Sequence, residues 1–401
     1  MKKSLVALAA LASMGAFAQS SVTISGDLWA GITNFKSSAG TSTTSLGNGP
    51  AASRMRFVGK EDIGGGTFAN FWLEMQPSMS NGGVSGNSPS ASGTGALFNR
   101  GAWLGLSGAS WGEFRVGRQA TAAIGTIATV DQGALLTGFN GGGILFNGGQ
   151  AGAGATGRWI SANPGRGQNA GAGLAVSTGN ISAATAAGGT ANNTGSDVTR
   201  VINAFTYLTP NMGGVTVQFQ YALSGLATGA ANGQGNSLGL QAQYAQGPVY
   251  VSAVYQTAGA DPLNNITGKQ TTVGGTYDFG VAKAGLIFQN GSASGAAALW
   301  TSEKAWALTL TAPFGAATPY LRMGQHQTNG LGAFGNGSGK DSAVVNIGVN
   351  YALSKRTLIN IDYARDGRGN TGNTNAGVAS SASGSNIANP QLFYVGVEHH
   401  F

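Results

Sequence analysis

The sequence predicts an all-β chain closed into a membrane-spanning antiparallel barrel of about sixteen strands, and three observations carry that prediction. Apolar and polar residues alternate with a period of two in many short segments of the 401 residues, which puts the two faces of each segment in different solvents. Short turns and long polar loops connect these segments in alternation, as in a barrel whose turns lie on one side of a bilayer and whose loops lie on the other. The alternation also continues through Val395, Val397, His399 and Phe401, where the terminus of a soluble domain usually frays.

Composition narrows the classes further. The chain has 69 Gly and no Cys; 42% of it is hydrophobic and 9% charged. Each interior Gly costs a helix about 1 kcal/mol relative to Ala, which excludes a long-helix or coiled-coil protein. A collagen-like repeat needs Gly at every third residue, and that period is absent. Without Cys there is no disulfide scaffold. The 21 basic and 14 acidic residues give a net charge of +7, too dilute for a nucleic-acid-binding face.

Read in order, the chain starts with Lys2-Lys3, an apolar run over 5–12, and the small residues Ala16 and Ala18 around Phe17. This is the pattern of a secretory signal peptide cut after Ala18, so 1–18 is expected to be a leader and 19–401 the barrel. The run is too short for a membrane-spanning helix. Val22, Ile24, Leu28, Ala30 and Ile32 then share one face, opposite Thr23, Ser25 and Asp27. Met55 and Phe57 alternate with Arg54, Arg56 and Lys60, and Ala69, Phe71 and Leu73 with Asn70 and Glu74. Val215, Val217, Phe219 and Tyr221 alternate with Thr216, Gln218 and Gln220. Similar segments begin near Arg100, Glu113, Arg200, Ser237, Val249, Gln270, Val281, Lys304, Thr318, Ala343, Arg356 and Gln391.

Short turns are expected at 61–66, 209–214, 246–248, 278–280, 313–316 and 354–356, and long loops at 36–51, 76–96, 121–199, 224–236, 258–269, 290–302, 327–342 and 366–390. In lipid every backbone polar group must be bonded within the protein, so the sheet has to close. Gln, Asn, Thr and charge face away from the aromatics, which implies a wet interior and an apolar exterior. Trp29, Trp103, Trp306, Tyr255, Tyr277 and Tyr363 lie near strand ends and read as an interfacial girdle or subunit contacts.

Several local signatures sit at matching places. They are Ser53-Arg54, Lys60-Glu61-Asp62-Ile63 with Gly64 to Gly66, Leu97-Phe98-Asn99-Arg100, Gly112 with Gly117-Arg118-Gln119, Tyr351-Ala352-Leu353-Ser354-Lys355-Arg356-Thr357, and the terminal Val395-Gly396-Val397 with Phe401. In order and spacing they resemble the Gram-negative general diffusion porin family over essentially the whole of 19–401. The resemblance implies a sixteen-stranded outer-membrane homotrimer with the third long loop folded into each lumen. It also implies a wall ladder of arginines facing acids of that loop, matched here by Arg54, Arg100 and Arg200.

Parity independently places Arg54, Arg56, Arg100 and Arg200 on the lumen face, and Arg118 and Arg158 are further candidates for the constriction. The third loop carries no acid between Asp131 and Asp197, so Asp131 is almost the only loop acid to oppose them. On the fourth strand the positions of Arg100's parity are Ala102, Leu104 and Leu106. They are expected to be covered from inside by loop residues such as Ile144, Leu145 and Phe146, with Phe146 and Trp159 as anchors. A part of 138–195 would then narrow the lumen; the alternative is a loop that projects outward.

Gly152, Gly154 and Gly157 match a dinucleotide fingerprint, but no strand, helix or downstream acid frames them. With three His and no Cys, neither a metal site nor a cofactor is expected, and no Ser-His-Asp set suggests catalysis. The expected function is a passive outer-membrane channel for small hydrophilic solutes, anion-preferring through its lumen charges. A channel selective for organic anions on the same barrel is the alternative. Expected partners are two further copies of the chain, outer-membrane lipid and lipopolysaccharide, and no nucleic acid.

Overall fold

The computed structural model describes residues 21–36, 42–47, 53–80, 82–84, 97–130, 200–223, 236–259, 267–294, 300–330, 342–366 and 391–401. The expected leader, Asp131, Arg158 and the remainder of the third loop lie outside them.

The strands are β1 (Ser21–Lys36), β2 (Ser42–Gly47), β3 (Arg54–Gly64), β4 (Thr67–Met75), β5 (Gly101–Gly108), β6 (Gly112–Ala120), β7 (Arg200–Leu208), β8 (Val215–Ala222) and β9 (Ser237–Gln246). They continue as β10 (Val249–Ala258), β11 (Thr267–Asp278), β12 (Lys283–Ser294), β13 (Trp300–Thr311), β14 (Ala317–Gly330), β15 (Ser342–Ala352), β16 (Thr357–Asp366) and β17 (Gln391–His400). Each strand from β3 onward pairs antiparallel with the next. β17 then pairs with β1 from Asp27 opposite His400 to Lys36 opposite Gln391, which closes the sheet. β1 is bordered on its other edge by β3 over Ser21–Asp27 and by β2 over Gly31–Lys36. β2 and β3 thus occupy one place in turn, and the seventeen strands form a sixteen-place barrel. β2 lies inside the segment expected to be a loop at 36–51; it is paired because the long β1 offers backbone donors and acceptors beyond the reach of β3.

The tight turns are set by backbone chemistry. Gly64 at the end of β3 and Gly65 and Gly66 in the turn to β4 all have positive φ (91°, 62° and 73°), a region that residues with a Cβ enter at a cost.

The two faces of the barrel reverse the order of a soluble protein. Outward positions expose Ile24, Val116, Phe219, Leu240, Val251, Phe288 and Ile347, while inward positions bury Gln220, Gln241, Thr272, Gln289, Asn346 and Asn360. Cross-strand register decides which face each side chain takes. Leu104 pairs with Phe71, and Leu106 with Ala69, on the outer surface. They are 64% and 45% exposed. The expectation that they face the lumen and anchor the third loop is therefore corrected. The physical reason is local: Arg100 sits in a bend just before β5, so the pleat that begins at Gly101 does not carry its parity forward.

Trp103 and Trp29 also face inward, each by the pleat of its own strand. Trp103 pairs with the inward Trp72. Trp29 shares Asp27's face and is only 5% exposed. Neither belongs to an outer girdle, whereas Tyr255, Tyr277, Trp306 and Tyr363 do hold outward positions.

The third loop begins with a helix, α1 (Ala122–Val130), that lies inside the barrel. Ala122, Ala123, Ile124, Ile127 and Val130 pack with the inward residues Tyr250, Val254, Ile287, Ala305 and Ala307 in one buried cluster. The wall also supplies the helix ends. Ala123 N donates to Gln256 Oε1 at 3.1 Å, and Thr309 Oγ1 donates to Val130 O at 3.0 Å. Both backbone groups belong to the terminal sets that a helix leaves unbonded. Halfway along, Thr126 Oγ1 meets Ser252 Oγ at 2.8 Å and accepts from Gln241 Nε2 at 3.0 Å. Gly274 and Gly285 form the seat for Val130: a Cβ at Gly285 would stand 2.9 Å from Val130 Cγ1 and 2.5 Å from Thr309 Oγ1.

Candidate functional site

The inward faces of β1, β3 and β4 gather opposite charges because the register brings alternate residues into rows. Asp27 stands opposite Arg54, and Arg56 opposite Glu74. Arg56 Nη2 donates to Asp27 Oδ1 at 3.1 Å, and its Nε lies 3.5 Å from Glu74 Oε2. Arg54 Nε is 4.0 Å from Asp27 Oδ2. Glu74 also accepts from Arg100 Nε at 2.6 Å and from Trp72 Nε1 at 3.1 Å.

Arg100 reaches this cluster from outside the pleat. Its backbone N donates to Glu74 O at 3.1 Å, and its Nη1 to Gln76 Oε1 at 2.7 Å. Arg200, at the start of β7 and 6% exposed, donates from Nε to the Arg100 carbonyl at 2.7 Å. Four of the expected arginines, Arg54, Arg56, Arg100 and Arg200, therefore share one patch of wall. Arg118 lies next to it, its Nε bonded to Asn99 O at 2.7 Å. A β-bulge supports this local arrangement. Gly117 has φ +132°, a Cβ there would stand 2.3 Å from Ala102 O, and the ladder to β7 slips between Gly117 and Gln119. Such bulges commonly re-aim neighbouring side chains.

Sequence reasoning assigned the opposing charge to Asp131, which lies outside the described residues. The structure puts Asp27 and Glu74 against the arginines, and both escaped that assignment. They had a signal, since each sits on the parity of Arg54 and Arg56. Turning that into proximity requires the cross-strand register, which one sequence does not supply. α1 was missed as well, although Thr121 followed by Ile124, Ile127 and Val130 at helical spacing marks a capped apolar turn.

The electrostatic balance follows from the count. Four guanidiniums face two carboxylates in the cluster. A third acid, Glu398 on β17, lies beyond Asp27 and meets His400 Nε2 at 3.1 Å. Cations outnumber acids whether or not Glu398 is included. The paired side chains of the four salt bridges at Asp27 and Glu74 are 10–27% exposed. The field therefore reaches the lumen while the pairing holds the guanidiniums in place. Among the described residues no group of three His, Asp or Glu side chains is placed to hold a metal ion.

The family model of Gram-negative porins matches residues 4–371. The chain is a Gram-negative porin. It is 33% identical over 298 residues to outer membrane porin protein 32 of Delftia acidovorans, an alignment covering 72% of this chain and 70% of that one. Among solved structures, the anion-selective porin from Comamonas acidovorans superposes with a TM-score of 0.68 at 24% identity, over 96% of this chain and 100% of the other. The trimer form of OmpT from Vibrio cholerae gives 0.57 at 13% identity, over 95% and 99%. This porin is an outer-membrane protein that crosses the bilayer with its strands and acts as a passive diffusion channel.

Proposed function

We propose that this porin prefers anions among small hydrophilic solutes, through Arg54, Arg56, Arg100 and Arg200. The observation that carries the reading is the excess of guanidiniums over the carboxylates Asp27 and Glu74 on one patch of lumen wall. Fixed charge in a narrow channel raises the local concentration of its counter-ion and lowers that of its co-ion. Arg118 extends the same positive patch; Arg158 and Asp131 belong to the third loop and would add to it or oppose it. The anion selectivity named for the Comamonas acidovorans porin supports the reading.

The porin is also proposed to be a homotrimer, exported by a leader cleaved after Ala18, with outer-membrane lipid and lipopolysaccharide around its apolar face. The OmpT trimer supports the first of these assignments, the basic and apolar start of the sequence the second, and the broad outward display of apolar residues the third. A narrower selectivity for organic anions is favoured by the aromatic side chains beside the cluster on β4 and β5.

Reversal potentials in a planar bilayer under a potassium chloride gradient test the selectivity. The expected sign is that of chloride preference. It should weaken between 0.1 M and 1 M salt, as the screening length falls from about 10 Å to about 3 Å. Potassium preference at low salt would overturn the proposal.

A further inference from the structure

Between the arginine cluster and the short turns of β3–β4 and β5–β6, the same wall changes character. Seven strand aromatics whose side chains are described face the lumen. Four of them, Trp29, Tyr250, Tyr320 and Tyr394, are buried. The other three, Phe68, Trp72 and Trp103, are only half-buried and stand together on β4 and β5.

Each of these three rings carries a cation. Lys60 Nζ lies 3.8 Å from the Phe68 centroid, Arg115 Cζ 4.5 Å from that of Trp103, and Arg56 Cζ 5.9 Å from that of Trp72. Trp72 and Trp103 are parallel to within 5°, with centroids 6.3 Å apart. The side chains lie over glycines of β5. A Cβ at Gly101 would come within 2.9 Å of Trp72 Cδ1, and one at Gly105 within 3.3 Å of Arg115 Cγ and 3.4 Å of Trp103 Cζ3. Arg115 is also held by Glu113 Oε2 at 2.6 Å from its Nη2.

We propose that this track is a transit site for aromatic carboxylates, and that Trp72, Trp103 and Arg115 select them over aliphatic anions of equal charge. The inference rests on the anion preference proposed above and names a solute class for it. Arg115 lies on the indole of Trp103 with Nη2 held by Glu113, which leaves Nη1 for a carboxylate, while its plane and the half-open rings accept a second aromatic ring. A solute with both features is held by charge and by its π-face at once. An aliphatic carboxylate has only the charge. Such contacts are individually weak at exposed positions, and weak successive contacts are what conduction requires of a site that must also release its solute.

The test uses the full-length porin in a planar bilayer carrying chloride current, with benzoate or cyclohexanecarboxylate added. The two have the same charge and nearly the same size, and only benzoate has a π-face. Benzoate is expected to reduce the current to half at an about two- to fivefold lower concentration than cyclohexanecarboxylate. Trp103→Leu should bring that ratio towards one, and because the ratio is internal to each protein, a change in overall conductance cancels. Equal half-blocking concentrations in the wild type would overturn the proposal without any variant, as would an unchanged ratio in Trp103→Leu. Potassium preference in the wild type is read separately from the reversal potential, and it would remove the anion reading itself.

Discussion

On β3 and β4 the inward positions hold Arg54 and Arg56 partly open to the lumen against a buried Glu74, whereas on β10 to β12 they hold Ser252, Gln256, Thr272 and Gln289 buried. Both walls obey the same alternation, polar inside and apolar outside. They differ in what stands over them. Among the described residues no helix packs on the first wall, and its charges bond to each other across neighbouring strands. The second carries α1 and uses amides and hydroxyls to satisfy a helix whose own residues are mostly apolar. On these two walls lumen polarity is therefore not one property: charge serves at the arginine cluster, and neutral hydrogen-bonding groups serve where α1 packs on the wall. An ion pair under α1 would lose its hydration, and a neutral amide at the arginine cluster would contribute no lasting field.

The comparison breaks most sharply if the parity of the charged wall is wrong. Leu104 lies directly behind it on the lipid face, so Leu104→Arg should cost about 2–4 kcal/mol near the bilayer midplane. Urea titration of refolding into lipid vesicles measures that loss. If Leu104 instead pointed inward, the variant would fold normally and gain anion preference.

A smaller effect tests the seat. Gly285→Val drives a side chain into Val130 and Thr309, an overpacking of about 1–3 kcal/mol. The barrel, held by sixteen ladders, should still form and show a β-type circular dichroism spectrum, while α1 leaves the wall. Single-channel recordings are then expected to show altered conductance and more current noise. Wild-type conductance and noise together would mean that the seat does not hold the loop.

The smallest effects come from single charges within the arginine patch. Arg100→Ser removes one cation beside Glu74, and Glu74→Gln removes the acid that holds Arg56 and Arg100. A unit charge at about 4 Å in water is worth about 1 kcal/mol, or roughly fivefold in local ion preference. The chloride-to-potassium permeability ratio should fall by up to about that factor in Arg100→Ser and rise in Glu74→Gln. Changes of the same sign in both variants would show that geometry outweighs net charge there.

Much of this porin is legible in the sequence because β-structure writes its environment into alternate residues. The starts expected near Arg54, Arg200, Val215, Ser237, Val249 and Gln391 coincide with observed strand starts, since each strand meets water on one side and lipid on the other. The inward placement of Arg54 and Arg56 follows from the same rule. The rule fails where the pleat is interrupted: a bend at Arg100 separates it from Leu104, and a positive-φ glycine at Gly117 shifts the ladder beyond it.

What the sequence determined by itself is the class of fold, the apolar outer surface and the polar lumen, because these depend on local periodicity alone. Only the tertiary structure decided which charges meet and where α1 lies. Asp27 and Arg56, Glu74 and Arg100, Ala123 and Gln256, and Val130 and Thr309 are far apart in the chain. Each pair is brought together by strand register and barrel closure, and those depend on the whole ladder of backbone hydrogen bonds rather than on any one segment.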